Sequence, residues 1–311
     1  MKVFNGNNYS KNYYDILVEC SKFEHNLESR VGNCFDLGTA YISVNNQSCG
    51  LPFVKGRGLN IFFAIMEAAW ILSGSNKLSP LEEIISNYHK FSDDKETLNG
   101  AYGYRIFNTF GFNQLEAVIE ELRNKPNSRR SVISLYSADD LNKSESLDIP
   151  CNLSILFKIR SNKLEMTVLN RSNDAYKGIP YNLFVFRAIQ YYVAKKLSLS
   201  LGEQRHFTDS LHLYEEDFSE VSRIIESANS DAINIELDLI LFDEIIQDSH
   251  NILELNWERI SSERLRWLFT SFALFKKTKD AASFKNIDKF PILSQYIGDW
   301  LKAHYNFTLD L

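Results

Sequence analysis

The chain has 311 residues, 44% of them hydrophobic and 24% charged, with few Gly or Pro, the composition of a folded globular protein able to bury one large core or two modest ones. A formal net charge of −6 argues against general nucleic-acid affinity, so any anion site must be local. No apolar run approaches the ~20 residues of a membrane span, and MKVFNGNNYSKNYYD at the N-terminus lacks the apolar core of a secretion signal, which points to a soluble, cytoplasmic protein.

Cys20, Cys34, Cys49 and Cys151 show no CxxC or Cys/His metal spacing. In a reducing cytosol each reads as a free thiol, and no metal is expected. There is no repeat, low-complexity tract or Pro/Ser/Gly linker. In chain order, LNIFFAIMEAAWILS at 59 to 73 is too apolar for a surface helix and predicts a buried one, with Glu67 anomalous inside it. LEEIISNYHKF and NQLEAVIEELRNK predict amphipathic helices, the second stopped near Pro126, with the loop SDDKETLNGAYGYR between them. From Arg130 the period shifts towards two: SVISLY predicts a strand, and NLSILFKIR and KLEMTVLNR a hairpin turning at Ser161 and Asn162. YNLFVFRAIQYYVAKKLSLS at 181 to 200 predicts a long apolar helix over one sheet face. Beyond about residue 222 the pattern weakens to a strand in AINIELDLI and helices in NWERISSERLRWLFTSFALFKK and FPILSQYIGDWLKAHY. The expected fold is α+β, a mostly antiparallel sheet covered by long helices. Residues 1–222 form the expected catalytic region, and a divergent, mainly helical region, 223–311, packs on the same domain.

Cys151 follows Ile149-Pro150 at a strand start, with Arg129 and Arg130 upstream and Arg171-Ser172 at the end of the hairpin partner. A thiol near fixed cations is a better nucleophile, although a lone cysteine there is ordinarily inert core. Arg30, Arg129, Arg130, Arg171 and Ser172 supply the bidentate and hydroxyl donors that hold a phosphate dianion. Asp174, Asn182, His212 and Tyr214 add polar groups suited to a base and a sugar. Glu67 and Tyr102 are candidates for proton transfer, because a carboxylate in an apolar helix stays protonated to higher pH; the plain alternative for Glu67 is a satisfied structural carboxylate.

At these positions the sequence resembles the thymidylate synthase family, through roughly the first 220 residues. The motifs match in collinear order: SRVGN at 29 to 33, EAAWILSGSN at 67 to 76, LNGAYGYR at 98 to 105, NKPNSRRSVIS at 124 to 134, IPC at 149 to 151, NRSNDAYKGIPYN at 170 to 182 and HLY at 212 to 214. The resemblance implies that Cys151 attacks C6 of a pyrimidine nucleoside monophosphate, so that C5 attacks the methylene of the cosubstrate 5,10-methylenetetrahydrofolate. It implies phosphate binding by Arg30, Arg171 and Ser172, and by Arg129 and Arg130 from the other protomer of a homodimer with a shared phosphate site. Asn182 would face the polar edge of the base, His212 and Tyr214 the sugar hydroxyl, and Asp174 the folate pterin, with Trp70 and Gly178 also on the folate side. Glu67 and Tyr102, with Asp174, would complete the catalytic set.

The departures select among family activities. Asn152 follows the nucleophile where methylating members commonly have His, and Tyr88, His89 and Phe91 occupy the loop that carries folate-stacking tryptophans. TDSLHLY has one residue more between Asp209 and His212 than the usual pattern, and YNFTLDL is unlike the short tail that closes a synthase site. A synthase must keep water from the exocyclic methylene until hydride arrives from the folate, and recognisable parts of that seal are missing. The expected activity is therefore C5 hydroxymethylation with release of tetrahydrofolate. The alternative is reductive methylation of dUMP to dTMP. A rival of another class is a non-catalytic nucleotide-binding protein, against which the Glu67, Tyr102, Cys151 and Asp174 set weighs, since a binding module needs no nucleophile.

Overall fold

The computed structural model describes residues 1–22, 26–29, 32–227 and 235–308. Among them a seven-stranded sheet is built from β1 (Lys2–Gly6), β2 (Asn26–Ser29), β3 (Gly32–Val44), β4 (Val132–Ser134), β5 (Asn152–Arg160), β6 (Lys163–Asp174) and β7 (Ser200–Tyr214), in the order β1-β3-β7-β6-β5-β4, with β2 paired to β3. The sheet is mostly antiparallel, as expected, though not strictly so: β1 with β3 and β6 with β7 run parallel, and the other pairings are antiparallel. The β6–β7 pair is parallel because a helical crossover lies between them. The hairpin of β5 and β6 turns where predicted, with Ser161 and Asn162 both at positive φ, the geometry of a two-residue turn that matches strand twist.

The helices are α1 (Tyr9–Ser21), α2 (Ile61–Leu72), α3 (Ser79–Ile84), the single turn α4 (Tyr102–Tyr104), α5 (Gln114–Asn124), α6 (Ile179–Lys196), α7 (Phe218–Ser227), α8 (Ile240–Leu253), α9 (Glu263–Thr278) and α10 (Pro291–Tyr305). Asn60 caps α2 by accepting the Phe63 N–H, and ten of the twelve α2 side chains are buried, as its apolar run requires. The amphipathic helix expected over LEEIISNYHKF is broken: α3 stops at Ile84, Ile85 is extended, and a separate short turn follows over Tyr88–Phe91. The strand expected in AINIELDLI is a correction. Its residues 232 to 234 lie outside the described residues, and 235 to 238 pair with no strand; the Leu237 carbonyl accepts from Cys49 N at 3.0 Å, and α8 begins at Ile240.

Two apolar cores result. The larger joins α2, α5, α6, α8, α9 and α10 to the inner sheet face around Ile155, Phe157, Met166 and Val168. Ring contacts tie the C-terminal helices into it: Phe62 of α2 lies 4.4 Å from Phe272 and 5.1 Å from Trp300, and Phe184 lies 5.2 Å from Phe242. The smaller core packs α1 and α7 over β3 and β7. The opposite sheet face carries Tyr41, Leu156, Leu169 and Phe207, all half-buried or exposed.

Candidate active site

The ends of β5, β6 and β7 and the start of α6 converge on Cys151. Its carbonyl accepts from Arg171 N at 2.9 Å, and its thiol, half-buried, takes the Ser172 hydroxyl at 3.6 Å. The Arg171 guanidinium folds back on the same turn, donating to the carbonyls of Pro150 at 3.1 Å and Ile149 at 3.0 Å and to Ser172 Oγ at 3.3 Å. Arg171 thus fixes the turn at Cys151 while keeping an exposed face. Register places Asp174 beside His212, and Ala175 N donates to the His212 carbonyl at 2.7 Å. The His212 and Tyr214 rings meet edge to face at 5.1 Å.

Asp174 Oδ1 accepts the N–H groups of Tyr176 at 2.7 Å and Lys177 at 2.9 Å, closing the turn that leads into α6. That turn needs glycine at its end, since a Cβ on Gly178 would lie 2.8 Å from Asn173 Oδ1 and 3.0 Å from the Asp174 carbonyl. One helical turn on, Asn182 donates to Asn173 Oδ1 at 3.0 Å.

From the other side come α2 and α4. Glu67 Oε2 is shut off from solvent and has no hydrogen-bond partner among the described residues, and burial raises its carboxyl to about 8. The Tyr102 phenol is pushed up by burial and by the charges of Cys151, Asp148 and Glu67, while Asn152 acts in the opposite sense. These groups therefore share one electrostatic pocket. Tyr88 stands against it, 5.5 Å from Phe63 and 5.4 Å from the exposed ring of Phe91. Trp70 sits in the core, 4% exposed, its indole N–H donated to the Lys77 carbonyl at 2.8 Å.

Arg129 and Arg130 are not brought to Cys151 within one chain. Ser131 O accepts from Phe157 N at 2.9 Å and Val132 pairs with Leu156; at about 3.3 Å per residue along β5, both arginines lie some 20 Å from Cys151. They are exposed at the edge strand. Arg30 lies outside the described residues.

Three groups were not read from the sequence. Asp148 is half-buried, accepts the Gly100 N–H at 2.6 Å, and is raised above its ordinary value by burial; its signal was a carboxylate two residues before Pro150. Asn170, the first residue of the NRSND stretch, donates to Asn152. Arg105 and Asp140 form a buried two-pronged ion pair, at 2.7 and 2.8 Å, that holds the loop carrying Tyr102; Arg105 closed the LNGAYGYR motif.

A family model described as thymidylate synthase matches residues 7–256, and the chain belongs to the thymidylate synthase family. Its relatives include the deoxyuridylate hydroxymethyltransferase of Bacillus phage SP01, 32% identical over 270 residues that cover 82% of this chain and 69% of that protein. A protein of the same name from Pseudomonas phage M6 is 35% identical over 179 residues, 57% of this chain and 51% of its own length. The thymidylate synthase of Francisella philomiragia subsp. philomiragia is 28% identical over 187 residues, 56% of this chain and 68% of that enzyme. Among the described residues no helix is long and apolar enough to cross a membrane.

Proposed function

We propose that this chain hydroxymethylates C5 of a uracil nucleoside monophosphate, dUMP first among them, using methylenetetrahydrofolate. C6 of the ring is a poor electrophile, so C5 becomes a carbon nucleophile only after the Cys151 thiolate has added to C6. Arg171 and Ser172, joined by Arg30, hold the phosphate; Asn182 meets the base edge, and His212 with Tyr214 the sugar. Bound methylenetetrahydrofolate supplies a one-carbon unit for the bond to C5. The aromatic wall of Tyr88 and Phe91 beside Glu67 and the Asp174 turn fit a flat, polar-edged pterin.

The observation that carries water capture, in preference to hydride, is the polar lining behind Cys151. Asn152 and Asn170 are buried, and Asn170 Oδ1, like Glu67 Oε2, has no partner among the described residues, while the Asn152 side chain bears on the Tyr102 phenol. Unpaired buried polar atoms of this kind suit ordered water. The names of the two phage relatives support the same reading. Turnover in isotopically labelled water tests it: the label should appear in the hydroxymethyl group of the product. A methylated, unlabelled nucleotide would refute it.

Homodimerisation is part of the proposal. Arg129 and Arg130 lie too far from their own Cys151 to complete its phosphate site, and the sheet face bearing Tyr41, Leu156, Leu169 and Phe207 offers an apolar surface to a second copy.

A further inference from the structure

The family match ends at residue 256, yet α10, beyond it, reaches back to the strap 51–58 that precedes α2. Asp299 accepts the N–H of Gly56 at 2.6 Å and of Gly58 at 2.7 Å, one on each carboxylate oxygen. Tyr296 donates to the Leu51 carbonyl at 2.8 Å, and His304 Nε2 lies 2.9 Å from the Gly58 carbonyl. The approach is close enough that a Cβ on Gly58 would lie 2.4 Å from the Ala303 Cβ, and Gly58 has φ +63°.

Between the two glycines stands Arg57, 7% exposed and without an ion pair to any carboxylate among the described residues. A buried cation placed so is costly unless its donors are satisfied. Its Nη2 donates to the Tyr176 carbonyl at 2.7 Å, its Nε to the Tyr13 hydroxyl at 3.0 Å, and its guanidinium carbon lies 3.6 Å from the centre of the Tyr176 ring. Tyr176 is the residue whose N–H binds Asp174 Oδ1 at 2.7 Å. Contacts are therefore continuous from α10 through the strap to the Asp174 turn.

We propose that α10 is a brace for that turn: Asp299 holds the strap, Arg57 in the strap holds Tyr176, and Asp174 is thereby set to meet the folate cosubstrate. Asp299, Arg57 and Tyr176 are positioning residues, and the claim that the turn serves folate rests on the activity proposed above. A group displaced through such a support loses its set contact with the ligand it faces.

The test uses the full chain with Asp299→Ala and Asp299→Asn, the latter keeping one of the two acceptors. Amide hydrogen exchange should quicken over 54–58 and also over 174–178 in Asp299→Ala, with Asp299→Asn intermediate. KM for methylenetetrahydrofolate should rise about tenfold in Asp299→Ala, with kcat and the KM for dUMP within about twofold. Arg57→Lys, which keeps the cation over Tyr176, should raise the folate KM less than Arg57→Ala. Faster exchange confined to 54–58 would overturn the brace, since the coupling to Tyr176 would be absent. Coupled exchange with an unchanged folate KM, in a protein whose Asp174→Ala variant also leaves that KM unchanged, would uphold the brace and refute the folate role of Asp174.

Discussion

Among the four cysteines, burial separates one from the rest. Cys20, Cys34 and Cys49 are buried, with Cys20 pushed up to about 12 and Cys49 well above its ordinary value, so all three are inert thiols. Cys151 is half-buried beside Ser172 and Arg171. Cys151→Ser should lower turnover below detection while isothermal titration shows nucleotide affinity within about threefold, because an alcohol is a far weaker nucleophile at neutral pH; appreciable product would remove Cys151 from the mechanism. Glu67 gives a pH signature. Between its ordinary value of 4.5 and about 8 the folded protein keeps a proton that the unfolded chain releases, so stability falls as pH rises through that window. The melting temperature of Glu67→Gln relative to wild type should therefore climb from pH 4.5 to about 8 and then level. A difference that is constant with pH would show that Glu67 titrates normally. Asn182 concerns the base: an amide matches the acceptor O4 and donor N3–H of uracil, and a mismatch leaving a buried polar group unpaired costs about 1 to 3 kcal/mol. Asn182→Asp should shift preference from dUMP towards dCMP by about ten- to a hundredfold in competition assays, and no shift would show that another group reads the base. Chemically distinctive residues in short motifs, such as Cys151 and Asp174, stood out in the sequence. Arg57 and Asn170 did not, because their meaning comes from partners more than a hundred or eighteen residues away.

At the scale of elements, what the sequence concealed was polarity on buried faces. β7 places Gln204, His206 and Thr208 on the buried side, which erases the alternation that marks a half-buried strand. In β3 the register shifts around Gly38, at φ +76°, change the phase of the alternation midway. The apolar helices α2 and α6 and the β5–β6 hairpin carried undisturbed periods and were legible. The helix expected from 81 to 91 failed at Ile85, where the chain turns outward to place Tyr88 against Phe63. The loop bearing Tyr102 depends on Arg105 and Asp140. Removing one partner strands a buried charge, so Asp140→Ala should cost about 3–5 kcal/mol in urea denaturation. A loss under about 1 kcal/mol would show that solvent or another group satisfies Arg105.

For the whole molecule, the proposed completion of the partner's phosphate site by Arg129 and Arg130, which are exposed near the edge strand, would make activity a property of two chains. Equal amounts of Arg130→Ala and Cys151→Ser protein, each inactive alone, should recover about a quarter of wild-type activity after subunit exchange, since half the dimers then hold one complete site. No recovery with exchange demonstrated would place these arginines outside the partner's site. Whether water captures the one-carbon unit is read from the folate product during turnover with dUMP. Hydride transfer converts methylenetetrahydrofolate to dihydrofolate, whereas water capture releases tetrahydrofolate. Water capture should give 5-hydroxymethyl-dUMP with no rise in dihydrofolate absorbance; a stoichiometric rise accompanying dTMP would contradict it.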